Sequence, residues 1–122
     1  MKTHLTSALF LLFFAGCGGG DPSIHVDGTR PLTGLTQAER QEVCSAVIGR
    51  FGGEGSEHSC NGGKDKITIH SVDECASGIA GAPKSCAATV ADIDDCTSAQ
   101  AKDLCTPVES KSCDKVAACQ GS

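Results

Sequence analysis

Aromatic residues are almost absent from this chain beyond its first 14 positions. The sequence has no Trp, no Tyr and four Phe, and only Phe51 lies outside the N-terminal segment. Stacking on single-stranded bases requires aromatic platforms, cation–π cages require aromatic faces, and protein interfaces favour Trp and Tyr as anchors. The composition therefore argues against base-stacking sites and excludes aromatic cages.

Clustered positive charge is also lacking. The 122 residues contain 10 Lys and Arg against 15 Asp and Glu, for a net charge of −5. The nearest approach to a basic cluster is Lys64 and Lys66, with Asp65 between them. Nucleic acids and anionic lipid headgroups attract clustered Lys and Arg, so we expect no nucleic-acid partner.

No hydrophobic run is long enough to cross a bilayer. Residues 8–15 are all apolar, but eight residues of helix cover only about 12 Å of a hydrocarbon core of about 30 Å. A positive start at Lys2 and small residues at Ala15 and Gly16 complete the pattern of an export signal. We expect residues 1–16 to be a signal peptide.

The end of this segment, Phe14-Ala15-Gly16-Cys17, resembles the lipobox of bacterial lipoproteins. The resemblance implies that Cys17 becomes the acylated N-terminus and anchors the chain to the membrane through lipid. Gly18 in place of Asp after the anchor implies sorting to the outer membrane of the cell envelope. The alternative is an ordinary secretory signal with a cysteine near its cleavage site.

Removal of residues 1–16 leaves 106 residues, which bounds the mature chain to one small domain. It takes away Lys2 and no acid, so the net charge becomes −6. Residues 17–34 combine Gly, Pro, Asp and Ser with scattered apolar residues and no period, which predicts a flexible tether. Residues 35–122 are the predicted domain.

An even number of cysteines follows Cys17, which in an exported chain of this size predicts four disulfides. They are Cys44, Cys60, Cys75, Cys86, Cys96, Cys105, Cys113 and Cys119. Eight cysteines allow 105 pairings, and the sequence does not choose among them. Buried free thiols and a zinc site are the alternatives, but no C-x-x-C is present, so we expect neither a metal nor another cofactor.

Capping signals divide the predicted domain into short helices. Thr36 and Glu39 form a capping box that predicts a helix over 37–50, and Ser71 with Glu74 predicts a second that ends at Gly81. Thr89 opens a third helix of undecided length, and Ser112 is expected to cap the last.

Between the first two helices lies a Gly-rich loop, which we expect Cys60 to pin, followed by a short strand at residues 67–69. Cys113 and Cys119 are six residues apart, which places them about 120° apart around a helix, so they should have different partners. The predicted fold is a mostly α, small disulfide-rich bundle of about four short helices with Gly-rich loops.

This arrangement of lipobox and cysteine-bearing capped helices resembles the small Cys-rich lipoproteins of myxobacteria, which implies a location and no activity. The sequence has neither a G-x-S-x-G nor an H-E-x-x-H motif. A spatial site using His25, His58 or His70 with Ser56 or Ser71 stays open, and we expect the 54–58 loop to carry function first. The leading interpretation is a binding module for an envelope or extracellular protein; a small hydrolase or inhibitor and a purely structural envelope protein are the alternatives.

Overall fold

The computed structural model describes residues 23–120. The predicted signal peptide and the lipobox cysteine Cys17 lie outside these residues. Four helices dominate: α1 (Gln37–Arg50), α2 (Val72–Ala80), α3 (Val90–Gln100) and α4 (Lys111–Cys119). The strands β1 (Glu57–Cys60) and β2 (Asp65–Thr68) form a hairpin between α1 and α2. The predicted mostly α, disulfide-rich fold is confirmed.

Local capping sets the start of each helix. Thr36 accepts a hydrogen bond from the Glu39 amide at 3.2 Å, and the Glu39 carboxylate accepts one from the Thr36 amide at 3.0 Å. Thr89 and Asp92 form the same reciprocal pair at α3, so Asp closes the box as well as Glu does. At α2 only half of the predicted box forms: Ser71 accepts from the Glu74 amide.

The predicted cap of α4 is wrong by two residues. Ser110, not Ser112, accepts a hydrogen bond from the Cys113 amide, at 3.1 Å. The Ser112 hydroxyl instead donates to Asp92 at the start of α3, at 3.3 Å. The Ser112 side chain, which the sequence pattern assigns to the cap, therefore makes a tertiary hydrogen bond instead.

All eight cysteines after Cys17 form disulfides. The pairs are Cys44–Cys75, Cys60–Cys105, Cys86–Cys119 and Cys96–Cys113. The first joins α1 to α2 and the last joins α3 to α4. Cys113 and Cys119 have different partners, as their angular separation on the helix requires.

The core lies where α1 packs against α2 and α3. Its most deeply buried side chains are Val43 and Cys44 of α1, Val90 of α3, and Ala88 in the loop that precedes α3. Disulfide sulfurs therefore occupy positions that larger apolar side chains fill in bigger domains.

The predicted flexible tether over residues 17–34 differs from the structure in its second half, where the chain packs on the domain. Leu32 is only 3% exposed, and Ile24 and Val26 pack against the core. The backbone of this segment runs alongside the start of α3, with hydrogen bonds from Val90 to Arg30 and from Ala91 to Gly28, each 2.9 Å long.

Arg30 fixes the same segment to the start of α1. Its guanidinium donates to both carboxylate oxygens of Glu39, at 2.7 and 3.0 Å, and to the Gly34 carbonyl at 2.8 Å. A bidentate pair of this kind is geometrically specific. The capping carboxylate of α1 therefore also holds the N-terminal segment in place.

The hairpin differs from the single short strand and pinned loop that the sequence predicts. β1 and β2 pair antiparallel, with His58 opposite Ile67 and Cys60 opposite Asp65. Cys60 is the last residue of β1 and not a loop residue. The turn begins at Asn61, whose φ of 54° precedes the positive φ of Gly62. Asn-Gly suits this left-handed turn because both residues tolerate it.

Packing of the N-terminal segment predicts a large effect at Leu32. We expect Leu32→Ala to lower the free energy of unfolding by about 2–4 kcal/mol, because it leaves a cavity in the core. The neighbouring Thr33 is exposed, so Thr33→Ala should change it by no more than about 0.5 kcal/mol. Guanidinium unfolding with the disulfides intact measures both, and equal effects would contradict the packing of residues 24–34.

Candidate binding groove

An open groove lies between the hairpin and the chain that follows α3. Its volume is about 590 Å³. Residues 57–59 of β1 form one wall, residues 101–105 form the other, and the end of α1 with Phe51 and Gly52 completes the lining. We call this feature the hairpin groove. The Cys60–Cys105 disulfide joins its two walls.

Two side chains of the predicted functional loop bind one backbone carbonyl. The Ser56 hydroxyl donates to the carbonyls of Gly53 at 2.8 Å and Phe51 at 3.2 Å, and Nε2 of His58 lies 2.7 Å from the Phe51 oxygen. Because a carbonyl oxygen only accepts hydrogen bonds, Nε2 carries the proton. Ser56 and His58 therefore brace the turn after α1, and the serine is not hydrogen-bonded to a base.

The turn that these side chains brace requires glycine at position 52. Gly52 has φ of +103°, and a Cβ there would lie 3.1 Å from the Ser56 hydroxyl oxygen and 3.5 Å from Nε2 of His58. A side chain would meet both an unfavourable backbone conformation and the two bracing groups. At the next part of the loop, Glu54 accepts a hydrogen bond from the Val72 amide at 2.6 Å, which ties it to α2.

Arg50 connects the groove to the helical body. Its side chain is 12% exposed and forms an ion pair with Asp94 at 2.6 Å. It also donates to the Thr97 hydroxyl at 3.0 Å. Both partners lie on α3, so this cation holds α1 against α3 in addition to lining the groove.

Asp103 shapes the opposite wall. Its carboxylate accepts hydrogen bonds from the Thr106 hydroxyl at 2.8 Å and the Cys105 amide at 2.9 Å, which lowers its pKa below the ordinary 3.8. Gln100 adds donations to the carbonyls of Asp103 and Thr106 at 2.9 and 3.0 Å. The wall is therefore a fixed turn that keeps its charge at neutral pH.

Charge in the groove is balanced and largely engaged. Glu57 forms an ion pair with Lys66 at 3.2 Å, while Arg50 and Asp103 have the partners described above. Lys102 is exposed, and within the described groove lining it is the charged side chain with neither an ion pair nor a side-chain hydrogen bond. The groove thus offers one unengaged cation beside Phe51 and Leu104, which are half-buried.

The other predicted site residues are dispersed. His25 is exposed, His70 contacts Glu74 at 2.7 Å, and Ser71 caps α2. Neither Ser56 nor Ser71 has a hydrogen bond to a histidine in the described part of the chain. Within residues 23–120, no group of three or more His, Cys, Asp or Glu side chains is placed to hold a metal ion.

The second groove wall, residues 101–105, is the part of the candidate site that the sequence did not reveal. The one available signal was Asp103, since Asp side chains commonly bond the backbone two residues on and so mark turns. That signal locates a turn but not its neighbour, which depends on the pairing of Cys60 with Cys105.

No helix among residues 23–120 has both the length and the apolar character needed to cross a membrane. Comparison of the chain with protein-family models, with curated proteins and with solved structures gives no match. No relative therefore supplies a role for the hairpin groove, and its chemistry rests on the residues that line it.

We expect two capping carboxylates to make the fold less stable in acid. Hydrogen bonding to the Thr89 amide lowers the pKa of Asp92 below the ordinary 3.8, and hydrogen bonding to the Thr36 amide lowers that of Glu39 below 4.5. A carboxyl group whose pKa is lower in the folded state stabilises fully above its unfolded-state pKa, and that contribution is lost as pH falls through the folded-state value. We expect the denaturation midpoint to be flat above about pH 5 and to fall below about pH 4.

The variant Asp92→Asn should reduce this dependence, because an amide does not titrate. Asp95 lies on the same helix, is exposed and has no partner among the described residues, so Asp95→Asn should leave the profile unchanged. Guanidinium midpoints between pH 2 and pH 7 test the pair. A profile that both variants alter equally would show that general charge, and not the cap, causes the acid sensitivity.

Proposed function

We propose that the chain is an exported lipoprotein, anchored at Cys17, whose disulfide-rich domain is a binding module of the cell envelope. Its binding surface is the hairpin groove, and its partner is an envelope or extracellular protein. The observation that carries the proposal is the complete pairing of the cysteines after Cys17.

The cysteine count supports the lipid anchor. The chain has nine cysteines, and eight of them pair with one another in the described domain. Cys17 is the ninth, and it is the cysteine of the lipobox-like sequence. Four disulfides also favour an oxidising compartment, because thiols in the cytosol are kept reduced.

The distance from the anchor to the domain is short. Packing against the core begins at Ile24, seven residues beyond Cys17. Seven residues span at most about 25 Å even when fully extended. An anchor at Cys17 therefore holds the domain close to the membrane surface, where its orientation matters.

Helix α3 separates the N-terminal segment from the groove. The N-terminal segment is hydrogen-bonded to Val90 and Ala91 at the start of α3, whereas the groove wall begins at Ala101, just beyond its end. The 11 residues of α3 span about 16 Å. The groove therefore lies near the opposite end of α3 from residues 28–30.

The hairpin groove is open, and both of its walls are held in place. Its volume is about 590 Å³. One wall is held by β-pairing and the other by the Asp103 turn, so little conformational freedom is lost on binding. Phe51 and Leu104 supply apolar surface, and Lys102 favours an acidic group on the partner.

The anchor is tested with Cys17→Ala in the native host. The wild-type chain should be found in membranes with a diacylglyceryl or triacyl increment on a chain that starts at Cys17. The variant should carry no acyl increment, because no acylated residue replaces Cys17. An inhibitor of lipoprotein signal peptidase should retain residues 1–16 on the wild-type chain. A lipid-free wild-type mass would contradict the proposal.

The binding surface is tested by placing a photo-crosslinking residue at Lys102 in intact cells. We expect ultraviolet light to yield a discrete crosslinked protein from this position. Lys84 is equally a surface lysine but lies outside the groove, so the same residue at position 84 is the matched control. Equal crosslinking from both positions, or none from position 102 in membranes that retain the protein, would remove the groove as the binding surface.

A further inference from the structure

One disulfide differs from the other three in its exposure. Cys105 is the only exposed residue among the eight disulfide cysteines, whereas its partner Cys60 is 7% exposed. Both cysteines of the Cys86–Cys119 pair are buried, at 7% and 5%. A thiolate must approach a disulfide sulfur directly in order to attack it, so access discriminates among these bridges.

The exposed disulfide also has a distinct place in the fold. The hairpin packs chiefly on itself and its own turn, while the helices pack on one another. Cys60 ends β1, and Cys105 ends the opposite wall of the groove, with its sulfur 3.6 Å from the Ser59 carbonyl oxygen. Cys60–Cys105 is thus the covalent link between the two walls, and the other three bridges tie together the helical body.

We propose that Cys60–Cys105 is a thiol–disulfide exchange site for a low-molecular-weight thiol, with Cys105 Sγ as the attacked atom. The incoming thiolate forms a bond with Cys105 Sγ as the Cys105–Cys60 bond breaks. Cys60 Sγ leaves with the electron pair and takes a proton from solvent. A second thiolate then attacks the sulfur of the first thiol, which releases the Cys105 thiolate and leaves the two small thiols joined as a disulfide.

The direction of attack follows from burial. Because Cys60 is buried at the end of β1 and Cys105 is exposed, the mixed disulfide forms on Cys105 and the free thiol appears on Cys60. Exchange removes the covalent link between the groove walls and leaves the three remaining bridges in place. The state of this bridge therefore decides whether the two walls of the hairpin groove are covalently joined, and the proposal does not depend on the lipid anchor.

The test uses the oxidised mature protein, graded glutathione at fixed pH, and quenching with N-ethylmaleimide. Peptide mapping without reduction should find glutathione on Cys105 and maleimide on Cys60. Exchange at this bridge should be at least about tenfold faster than at Cys86–Cys119, which serves as the buried control. Glutathione on Cys60, or opening of any other bridge at the same concentration, would overturn the assignment.

A second measurement separates an exchange site from a bridge that the whole fold requires. The double variant Cys60→Ser with Cys105→Ser should retain the helical circular dichroism and the slow amide exchange of α1 and α3, and should show faster amide exchange only in the hairpin. The matched pair Cys96→Ser with Cys113→Ser should speed exchange in α3 and α4, because it removes their covalent link. Loss of protection in α1 in the first variant would overturn the proposal.

Discussion

Four disulfides hold together helices that are too short and too poor in apolar side chains to pack alone. The helices have 9 to 14 residues, near or below the length at which an isolated helix is stable in water. Only 17 Ile, Leu, Val and Phe residues follow the predicted signal peptide. Each bridge contributes about 3 kcal/mol, so together they supply on the order of 10 kcal/mol, comparable to the net stability of a whole domain.

The features that the sequence predicted correctly are local ones. An N-cap is a contact between a side chain and an amide three residues away, so the starts of α1, α2 and α3 follow from Thr36, Ser71 and Thr89 alone. The cap of α4 was predicted wrongly, because the Ser112 hydroxyl forms a hydrogen bond with Asp92, twenty residues earlier. The packing of the N-terminal segment was not predicted, because the sequence around Leu32 has no periodic pattern and residues remote in sequence bury its side chain.

The same difference between local and non-local features applies to the prediction of the groove. The sequence directed attention to the 54–58 loop, and His58 does line the groove. The opposite wall depends on one pairing among 105, which no local pattern encodes. The sequence also could not show the role of Ser56 and His58. Both residue types suit catalysis, but in the structure the Phe51 carbonyl accepts their hydrogen bonds.

The same covalent chemistry therefore has two consequences in this domain, and burial decides between them. Where the sulfurs lie inside, as in Cys86–Cys119, a disulfide replaces the apolar packing that the chain lacks. Where one cysteine of the pair is an exposed residue, as Cys105 is, the bridge joins the two walls of a surface groove. Because the core is small, the buried disulfides are needed in place of apolar packing. The second use occurs in the hairpin, which packs on the helical body only weakly. The Cys60–Cys105 bond joins it to residues 101–105, and the His58 hydrogen bond to the Phe51 carbonyl is a further contact to the end of α1.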